Sequence, residues 1–256
     1  MGERTDVSMA SQIHRPRRQV LQFLGGAVAT SLLGCVRSAQ QSSGIAAPSP
    51  VAARTTCVVR PQQSEGPYFT DTQLNRRDIR FDPASGVVSD GIPLRLILNV
   101  FQQQSDRCTP LRDAIVDVWH CDASGVYSDV RDRTANTVGQ QYLRGFQVTN
   151  ENGQVEFLTI YPGWYPGRAV HIHFKIRGSE PQPYEFTSQL YFADAVTDQV
   201  QAIAPYRDRA TVRIRNGQDG LFQRGGEQLI VPVTDAPDEW VGVFDIGLDF
   251  NHVSFL

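Results

Sequence analysis

The amino-acid sequence predicts an all-β fold, an antiparallel β-sandwich with long loops and little helix. Short apolar segments recur from residue 93 to residue 250, each about as long as an ordinary strand. Turn-forming pairs such as Asn152-Gly153 and Gly225-Gly226 separate several of them. Because helical patterns are almost missing between these segments, antiparallel strands joined by turns are favoured over a parallel sheet.

The individual elements follow from the same alternation of apolar and polar residues. Eight strands are predicted, at residues 93–101, 113–120, 153–161, 169–176, 184–192, 210–215, 227–234 and 240–250. Residues 194–204 (DAVTDQVQAIA) are the one segment that predicts a helix.

Residues 1–35 have the composition of a signal peptide rather than of a folded element. A basic stretch ending in Arg17-Arg18 precedes an apolar run at residues 20–33, which is too short and too interrupted to span a bilayer comfortably. The arginine pair resembles a twin-arginine export signal, and residues 32–35 (LLGC) resemble a lipobox, in which Cys35 becomes the lipidated first residue. A plain cleaved signal peptide is the alternative.

Residues 36–56 are rich in Ser, Ala, Gln and Pro and predict a flexible tether, so the folded domain is expected at residues 57–256. We therefore expect an exported protein, periplasmic or at the cell surface, whose membrane contact is limited to a lipid anchor. The net charge of −3 gives no indication of a nucleic-acid partner.

Three cysteines lie in the predicted domain, and an exported chain can keep a disulfide. Cys57 and Cys108 sit in polar, loop-like segments, whereas Cys121 follows an apolar strand and is expected to be buried. A bridge between Cys57 and Cys108 is therefore favoured, and three free thiols are the alternative.

Two histidines in one predicted strand are the first indication of chemistry. His171 and His173 are two residues apart, so both side chains lie on one face of the strand, while Ile172 and Phe174 take the core-facing side. An H-x-H pair on its own is a weak indication of a metal site, because most such pairs are ordinary core or surface histidines.

Phenol side chains near this strand strengthen the indication. Tyr161 and Tyr165 lie on a loop with two Pro-Gly turns, and Tyr127 follows the predicted strand 113–120. A phenolate is a hard anionic donor that suits ferric iron. Arg168 cannot ligate a cation, but its guanidinium could stabilise negative charge on a bound substrate.

Several segments resemble the intradiol ring-cleavage dioxygenases, which include catechol 1,2-dioxygenases and protocatechuate 3,4-dioxygenases. The resembling segments are GPYF (66–69), VDVWHCDASGVYS (116–128), YLRGFQVTNENGQVEFLTIYPGWYPGRAVHIHFKI (142–176) and TSQLYF (187–192). The resemblance implies one mononuclear non-haem Fe(III) in a β-sandwich. It also implies a catechol-type substrate that O₂ opens between its two hydroxyl-bearing carbons, giving a cis,cis-muconate-type diacid.

The family's site residues carry over position by position. The implied iron ligands are Tyr127, Tyr165, His171 and His173. Tyr165 is the implied ligand that leaves when substrate binds and accepts a proton, with Tyr161 as its rival for that position. Arg168 and Gln189 match the residues that stabilise charge on the ring.

Tyr68 and Trp164 are candidates for the pocket wall, although either side chain could equally belong to the core. The resemblance does not extend to a helical dimerisation segment, so oligomeric state and ring substituents do not carry over.

Two alternatives remain at this point. A cupin-like Fe(II) oxygenase also carries H-x-H on a strand, but its usual nearby carboxylate is absent here, since Glu180 lies beyond the strand. A non-catalytic transthyretin-like binding module at the cell surface is the second. Colour separates them, because tyrosinate bound to Fe(III) makes a protein wine-red.

Overall fold

The computed structural model describes residues 57–104, 107–133, 135–178 and 183–251, and the backbone of residues 254–255. The predicted signal peptide (1–35), the tether (36–56) and Cys35 lie outside the described residues. Within the described part, no helix is long and apolar enough to cross a bilayer.

Ten strands and one α-helix are described. They are β1 (Pro93–Gln104), β2 (Arg107–Pro110), β3 (Ile115–Trp119), β4 (Arg144–Val148), β5 (Gln154–Ile160), β6 (His171–Gly178), β7 (Tyr184–Tyr191), α1 (Asp194–Gln201), β8 (Val233–Asp235), β9 (Trp240–Asp249) and β10 (Ser254–Phe255). Three short 3₁₀ helices follow α1, at Tyr206–Asp208, Asn216–Gln218 and Gly226–Leu229. The mostly β architecture with little helix agrees with the fold class that the sequence predicts.

Strand β1 organises the first sheet. Its residues 93–99 pair with β5 and its residues 101–104 pair with β2, both antiparallel. Along its other edge β1 pairs with β9, which in turn pairs with β8. The β1–β9 pairing is parallel, so this sheet is mixed and departs from the antiparallel pairing that we predicted throughout. Local alternation indicates a strand, but it does not say which distant strand becomes its neighbour.

The second sheet has the order β10-β7-β6-β3-β4 and is antiparallel. Strand β6 is its centre, and residues 171–176 of this strand are all buried. Ile172 and Phe174 pack in the core between the sheets, together with Leu96 and Leu98 of β1. Each such side chain contributes roughly 2 kcal/mol when it is fully buried. The opposite face of β6 is covered by loops, and this is the face on which the two histidines lie.

The register of this sheet sets four side chains in one row. Arg144 on β4 is opposite Trp119 on β3, Trp119 is opposite His173 on β6, and His173 is opposite Gln189 on β7. Directly opposed residues share a face, so the row runs beneath the covering loops.

The predicted helix is confirmed as α1, but the predicted strand at 210–215 is wrong. Arg213 donates hydrogen bonds to Asp194 and Gln201 of α1, rather than taking the position it would have in a paired strand. Val212 is 88% exposed. This segment is therefore held by side-chain bonds to the helix. In the predicted strand 227–234, only its last two residues belong to β8, because a 3₁₀ helix takes its beginning.

A disulfide joins Cys57 to Cys108, with the two Cα atoms 5.6 Å apart, and Cys121 is a buried free thiol. The bridge lies at the start of the described chain. Val58 and Arg60, just after it, bond with the backbone of Gly247 in β9. The covering segment, residues 61–69, then crosses the histidine face of the second sheet.

Candidate metal centre

The two histidines of β6 aim their Nε2 atoms at one point. His171 Nε2 and His173 Nε2 are 3.1 Å apart, and both side chains are at most 2% exposed. The carbonyl of Ala169 accepts a hydrogen bond from His171 Nδ1 at 2.6 Å, which leaves the Nε2 lone pair of His171 without that proton. His171 Nε2 presents its lone pair toward His173 Nε2, so a cation that both nitrogens ligate fits at this point.

Tyr127 and Tyr165 bring phenol groups to the same place from two loops. The Tyr127 hydroxyl lies 3.4 Å from His171 Nε2. The Tyr165 ring meets the His171 ring edge-on, with centroids 5.7 Å apart, and the Tyr127 ring at 5.8 Å. The structure therefore brings together all four side chains that the resemblance implies as ligands.

Tyr161 lies in a different environment. Its ring is fully buried against Phe192, with centroids 4.4 Å apart, and its hydroxyl is 2.7 Å from Thr197 Oγ1 on α1. These contacts belong to the core and not to the cluster around His171. The geometry favours Tyr165 over Tyr161 as the second phenol donor.

Arg168 and Gln189 extend the site on the β7 side. The Arg168 Nη1 group lies 3.4 Å from His171 Nε2 and donates to the Tyr165 hydroxyl at 3.3 Å. Its Nη2 group donates to Gln189 Oε1, and Gln189 Nε2 in turn donates to the carbonyl of Ser64 in the covering segment at 2.8 Å. A positive charge and an amide thus stand beside the point where the histidines converge.

The two candidates for the pocket wall separate. Tyr68 stacks on Tyr127 at 4.5 Å and meets Tyr165 edge-on at 5.9 Å, so it belongs to the site. Trp164 is 3% exposed in the main core, where its Nε1 donates to the Thr211 carbonyl and the Arg209 guanidinium covers its ring. Trp164 therefore has the core role that the sequence left open.

Burial keeps the candidate ligands uncharged in the absence of a cation. It lowers the pKa of His171 to about 3, with Arg168 adding to the effect, and it lowers the pKa of His173 well below its usual value. Burial also raises the pKa of Tyr127 well above its usual value and raises that of Tyr165, against the opposing charge of Arg168. Neutral imidazoles are ready to ligate, whereas the phenols need a nearby cation to ionise.

The donor set agrees with iron(III) better than with a softer metal. Among the residues described, no group of three or more His, Cys, Asp and Glu side chains could hold a metal ion, whereas the two histidines of β6 have two phenols beside them. Hard phenolate oxygens favour a trivalent cation. Two phenolates and one hydroxide would balance Fe³⁺, which makes burial of the charge possible.

Three residues of the site were missed by sequence reasoning. Arg144, 1% exposed, donates to the carbonyl of Tyr68 at 2.6 Å and to Ser128 Oγ at 2.8 Å, so it holds the segments that carry Tyr68 and Tyr127. Tyr191 lies two residues after Gln189 on the same face, a spacing that could have revealed it. Asp219 contacts Arg168 from 51 residues away, and no local pattern marks it.

A cavity lies away from this cluster. It has a volume of about 570 Å³, and its walls include Asp82, Asp122 and Tyr142. None of the four candidate ligands lines it. We assign the functional site by the convergence of donor atoms, not by the size of a cavity.

Comparison with known proteins finds a matching family over the segment that contains the candidate site. The family model described as "Dioxygenase" matches residues 64–220, which contain all four candidate ligands, Arg168 and Gln189. An intradiol ring-cleavage dioxygenase of known structure from Tetranychus urticae is 30% identical, and the alignment covers 77% of this chain and 97% of that chain with a TM-score of 0.68. The dioxygenase domain of a carbohydrate-binding fusion protein from Streptomyces sp. SirexAA-E is also 30% identical, covering 75% and 99%, with a TM-score of 0.53.

Curated relatives match over shorter stretches. A chlorocatechol 1,2-dioxygenase of Pseudomonas putida is 30% identical over 107 residues, which are 35% of this chain and 39% of that protein. A protocatechuate 3,4-dioxygenase beta chain of Burkholderia cepacia is 33% identical over 91 residues, covering 32% and 38%. The matches thus span about two fifths of the length of these relatives.

Proposed function

The chain belongs to the intradiol ring-cleavage dioxygenases, and from that premise we propose that it opens catechol-type rings between their two hydroxyl-bearing carbons. The proposed cofactor is one mononuclear ferric ion, held by Tyr127, Tyr165, His171 and His173. Catechol and O₂ combine into one cis,cis-muconate-type diacid, so both oxygen atoms enter the product and no other reductant is required.

The observation that carries the proposal is the convergence of His171 Nε2 and His173 Nε2 beside the Tyr127 hydroxyl. Together with Tyr165, which is half-buried, it supplies two neutral nitrogen donors and two phenols within one cluster. A ferric ion bound there would supply a binding point for both catechol oxygens and draw electron density from the ring.

The surrounding residues have distinct proposed tasks. Tyr165 lies on a loop and next to the Arg168 guanidinium, so its oxygen, as the phenolate that a bound cation would stabilise, could move and take the proton of a catechol hydroxyl. Arg168 and Gln189 stand where negative charge would develop on the ring, and their N–H groups would stabilise it. Tyr68, stacked on Tyr127, would form one wall of the substrate pocket.

The two alternatives from the sequence lose support. Membership of the dioxygenase family argues against the cupin-like Fe(II) oxygenase. A non-catalytic binding module has no reason to assemble four metal donors, a half-buried arginine and a glutamine around one point.

Metal content, colour and product together test the proposal. The purified protein is expected to contain one iron per chain, to be wine-red, and to take up one O₂ for each catechol that it converts. Cleavage under ¹⁸O₂ should place two labelled atoms in the diacid. Stoichiometric zinc or copper without visible absorption, or a product opened beside the hydroxyl pair, would refute the assignment.

The relatives suggest which ring substituents to test first. Two of them are named for chlorocatechol and protocatechuate, so halogenated and carboxylated catechols belong in the initial panel beside catechol itself. The rate of O₂ uptake by the enzyme with each compound, expressed as kcat/KM, would rank the substituents.

We also propose that the protein acts outside the cytoplasm, with a lipid on Cys35. The signal-like composition of residues 1–35 and the Cys57–Cys108 disulfide support this, because disulfides persist mainly in oxidising compartments. The mass of the mature amino-terminal peptide tests it. A lipidated peptide starting at Cys35 is expected, and Cys35→Ser should release the protein from the membrane fraction. An unprocessed or cytoplasmic chain would contradict the proposal.

A further inference from the structure

Asp219 is a buried carboxylate whose two oxygens are both engaged. Its side chain is only 1% exposed. Its Oδ2 atom accepts hydrogen bonds at 2.9 Å from Arg168 Nε and from the Ala169 backbone N–H. Its Oδ1 atom accepts from the backbone N–H groups of Leu221, at 2.8 Å, and Phe222, at 3.3 Å. The carboxylate thus joins the loop before β6 to a second loop some 50 residues further along the chain.

These contacts fix the plane of the Arg168 guanidinium. Asp219 occupies the Nε side, which turns Nη1 toward Tyr165 and His171. Nη2 is held by Gln189 Oε1 and, at 3.3 Å, by the Tyr191 hydroxyl. A planar fork that is bonded at both ends cannot rotate without losing hydrogen bonds.

The loop that carries Asp219 is itself anchored. The Asp219 backbone N–H donates to the carbonyl of Asn216 at 3.0 Å, and its carbonyl accepts from Gln223 at 3.0 Å. The Phe222 ring packs edge-on against Tyr191, with centroids 5.1 Å apart. The carboxylate is therefore presented by a supported turn, which suits a positioning role.

Charge gives a second reason for the contact. Arg168 stands beside the proposed site of a trivalent cation, and like charges repel strongly where burial excludes water. Asp219 places a compensating negative charge on the side of Arg168 that faces away from His171. Without it, the guanidinium would be expected to swing away from the metal centre.

We propose that Asp219 is a positioning residue for ring cleavage, one that holds the Arg168 guanidinium at the metal centre without touching substrate or iron. The inference rests on the proposed function. The proposal predicts that Asp219 affects turnover only by positioning Arg168. Mutagenesis can distinguish this effect from a general structural role.

A double-mutant cycle tests the dependence. Asp219→Asn is expected to lower kcat on the order of 10-fold or more while KM changes less, because charge stabilisation in the transition state is what weakens. Iron content and visible colour should persist. In an Arg168→Ala background the same substitution should change kcat less than about 2-fold, because coupled residues do not act additively.

Asp117→Asn is the matched control. Asp117 is also a buried carboxylate, 7% exposed, and it accepts from Arg177 Nε at 2.8 Å and Arg177 Nη2 at 2.9 Å, so its arginine partner is Arg177 and not Arg168. Its loss should lower thermal stability but leave kcat and its response to Arg168→Ala as in the parent protein. The comparison distinguishes the general effect of losing a buried ion pair from the specific effect of losing the pair between Asp219 and Arg168.

Two further measurements keep the test decisive. Arg168→Lys retains the charge but has no Nε–H for Asp219, so it should lose nearly as much kcat as Arg168→Ala, and this variant does not depend on the folding of Asp219→Asn. Catechol binding without O₂, followed by the visible spectrum, should weaken less than 5-fold in Asp219→Asn.

The outcomes separate two kinds of failure. Undiminished kcat in Asp219→Asn or Arg168→Lys, or a loss that adds fully to that of Arg168→Ala, would overturn the positioning role in an otherwise active enzyme. A wild-type protein that binds iron but cleaves no catechol would instead overturn the proposed function, and the positioning role with it.

Discussion

The two candidate histidine ligands are held by contacts that do not use their Nε2 atoms. The Ala169 carbonyl fixes the His171 ring through Nδ1, and the indole of Trp119 stacks on the His173 ring at 5.0 Å and 8°. Gly66 also approaches His173, since a Cβ atom at this position would lie 3.3 Å from its Cε1 atom. The ring orientations are therefore set by the protein before any metal binds, which lowers the entropic cost of ligation.

Alanine substitutions should separate ligation from charge stabilisation. His171→Ala and His173→Ala each remove a nitrogen donor and should lose iron and colour. Arg168→Ala should keep both and lose on the order of 100-fold or more in kcat, because a guanidinium stabilises charge without ligating. Iron analysis, the visible spectrum and O₂ uptake on the same preparations provide the measurements. Iron loss from the arginine variant would show that its role has been misassigned.

The two tyrosines of the YPGWYPGR loop should differ in their spectra. Tyr165→Phe should shift or weaken the tyrosinate charge-transfer band and slow ring cleavage, since its ring contacts Tyr127 and His171. Tyr161→Phe should leave the band in place and cost about 1 kcal/mol, the usual value of a buried hydrogen bond such as the one to Thr197. Visible spectra and denaturant unfolding compare them, and the reverse pattern would move the second phenolate to Tyr161.

At the level of single residues, sequence reasoning succeeds where chemistry is local. His171 and His173 are recognisable because a strand puts alternate residues on one face. Asp219 could not be found in this way, because its partner Arg168 lies 51 residues earlier and a lone aspartate in a polar loop has no distinctive signal. Arg144 could not be found from the sequence either, because its hydrogen-bond acceptors are mostly backbone carbonyls, which carry no sequence signal.

Among the elements, the covering segment (61–69) joins the start of the folded chain to the metal centre. The Pro61 carbonyl accepts from Ser188 on β7 at 2.7 Å, and Gln63 and Ser64 bond to the same strand. Lys175 of β6 forms an ion pair with Glu65. The segment is held along its length by sheet residues, and it ends where Tyr68 meets Tyr127.

The Cys57–Cys108 bridge should stabilise this arrangement. It closes a loop with a sequence separation of 51 residues, which in the chain-entropy model contributes about 4 kcal/mol. Guanidinium unfolding of the wild type with and without reductant should show that difference. The Cys57→Ala/Cys108→Ala variant should be as unstable as the reduced wild type and insensitive to reductant. Equal stability of the oxidised wild type and the variant would contradict the prediction.

The strand prediction failed where side-chain hydrogen bonds, rather than backbone pairing with another strand, hold the segment in place. The alternating sequence of 210–215 resembles a strand, but the buried Arg213 ties it to α1 through Asp194 and Asp198. Strand β4 was not predicted from alternation, although its Arg144 belongs to the row that includes His173. Five residues at a sheet edge give too short a pattern to separate from a loop.

At the scale of the whole molecule, one histidine links the two sheets. His120 follows β3 of the second sheet, and its Nε2 atom lies 2.7 Å from Thr159 Oγ1 on β5 of the first. Its Nδ1 atom donates to the Cys121 carbonyl at 2.8 Å, which makes Nε2 the acceptor from Thr159. The ring is fully buried and neutral, and burial lowers the pKa of His120 to about 4.

This histidine should make the fold sensitive to acid. An unfolded chain protonates His120 near its ordinary pKa of about 6.5, whereas the folded protein keeps the ring neutral down to about pH 4. Between these values the unfolded state binds the extra proton, so the free energy of unfolding must fall as the pH falls from 6.5 toward 4. A pKa difference of this size corresponds to a loss on the order of 3 kcal/mol.

Replacing the ring with a neutral amide tests the argument. His120→Gln can still hydrogen-bond but takes up no proton, so its stability should decline less than that of the wild type between pH 6.5 and 4. Denaturant unfolding in the presence of an iron chelator removes the contribution of metal release, and the acid response of His171 and His173 is common to both proteins. Above pH 7 neither state of His120 is protonated, so any difference there reports hydrogen bonding and packing alone. Parallel pH profiles below 6.5 would mean that His120 is not held neutral across the two sheets.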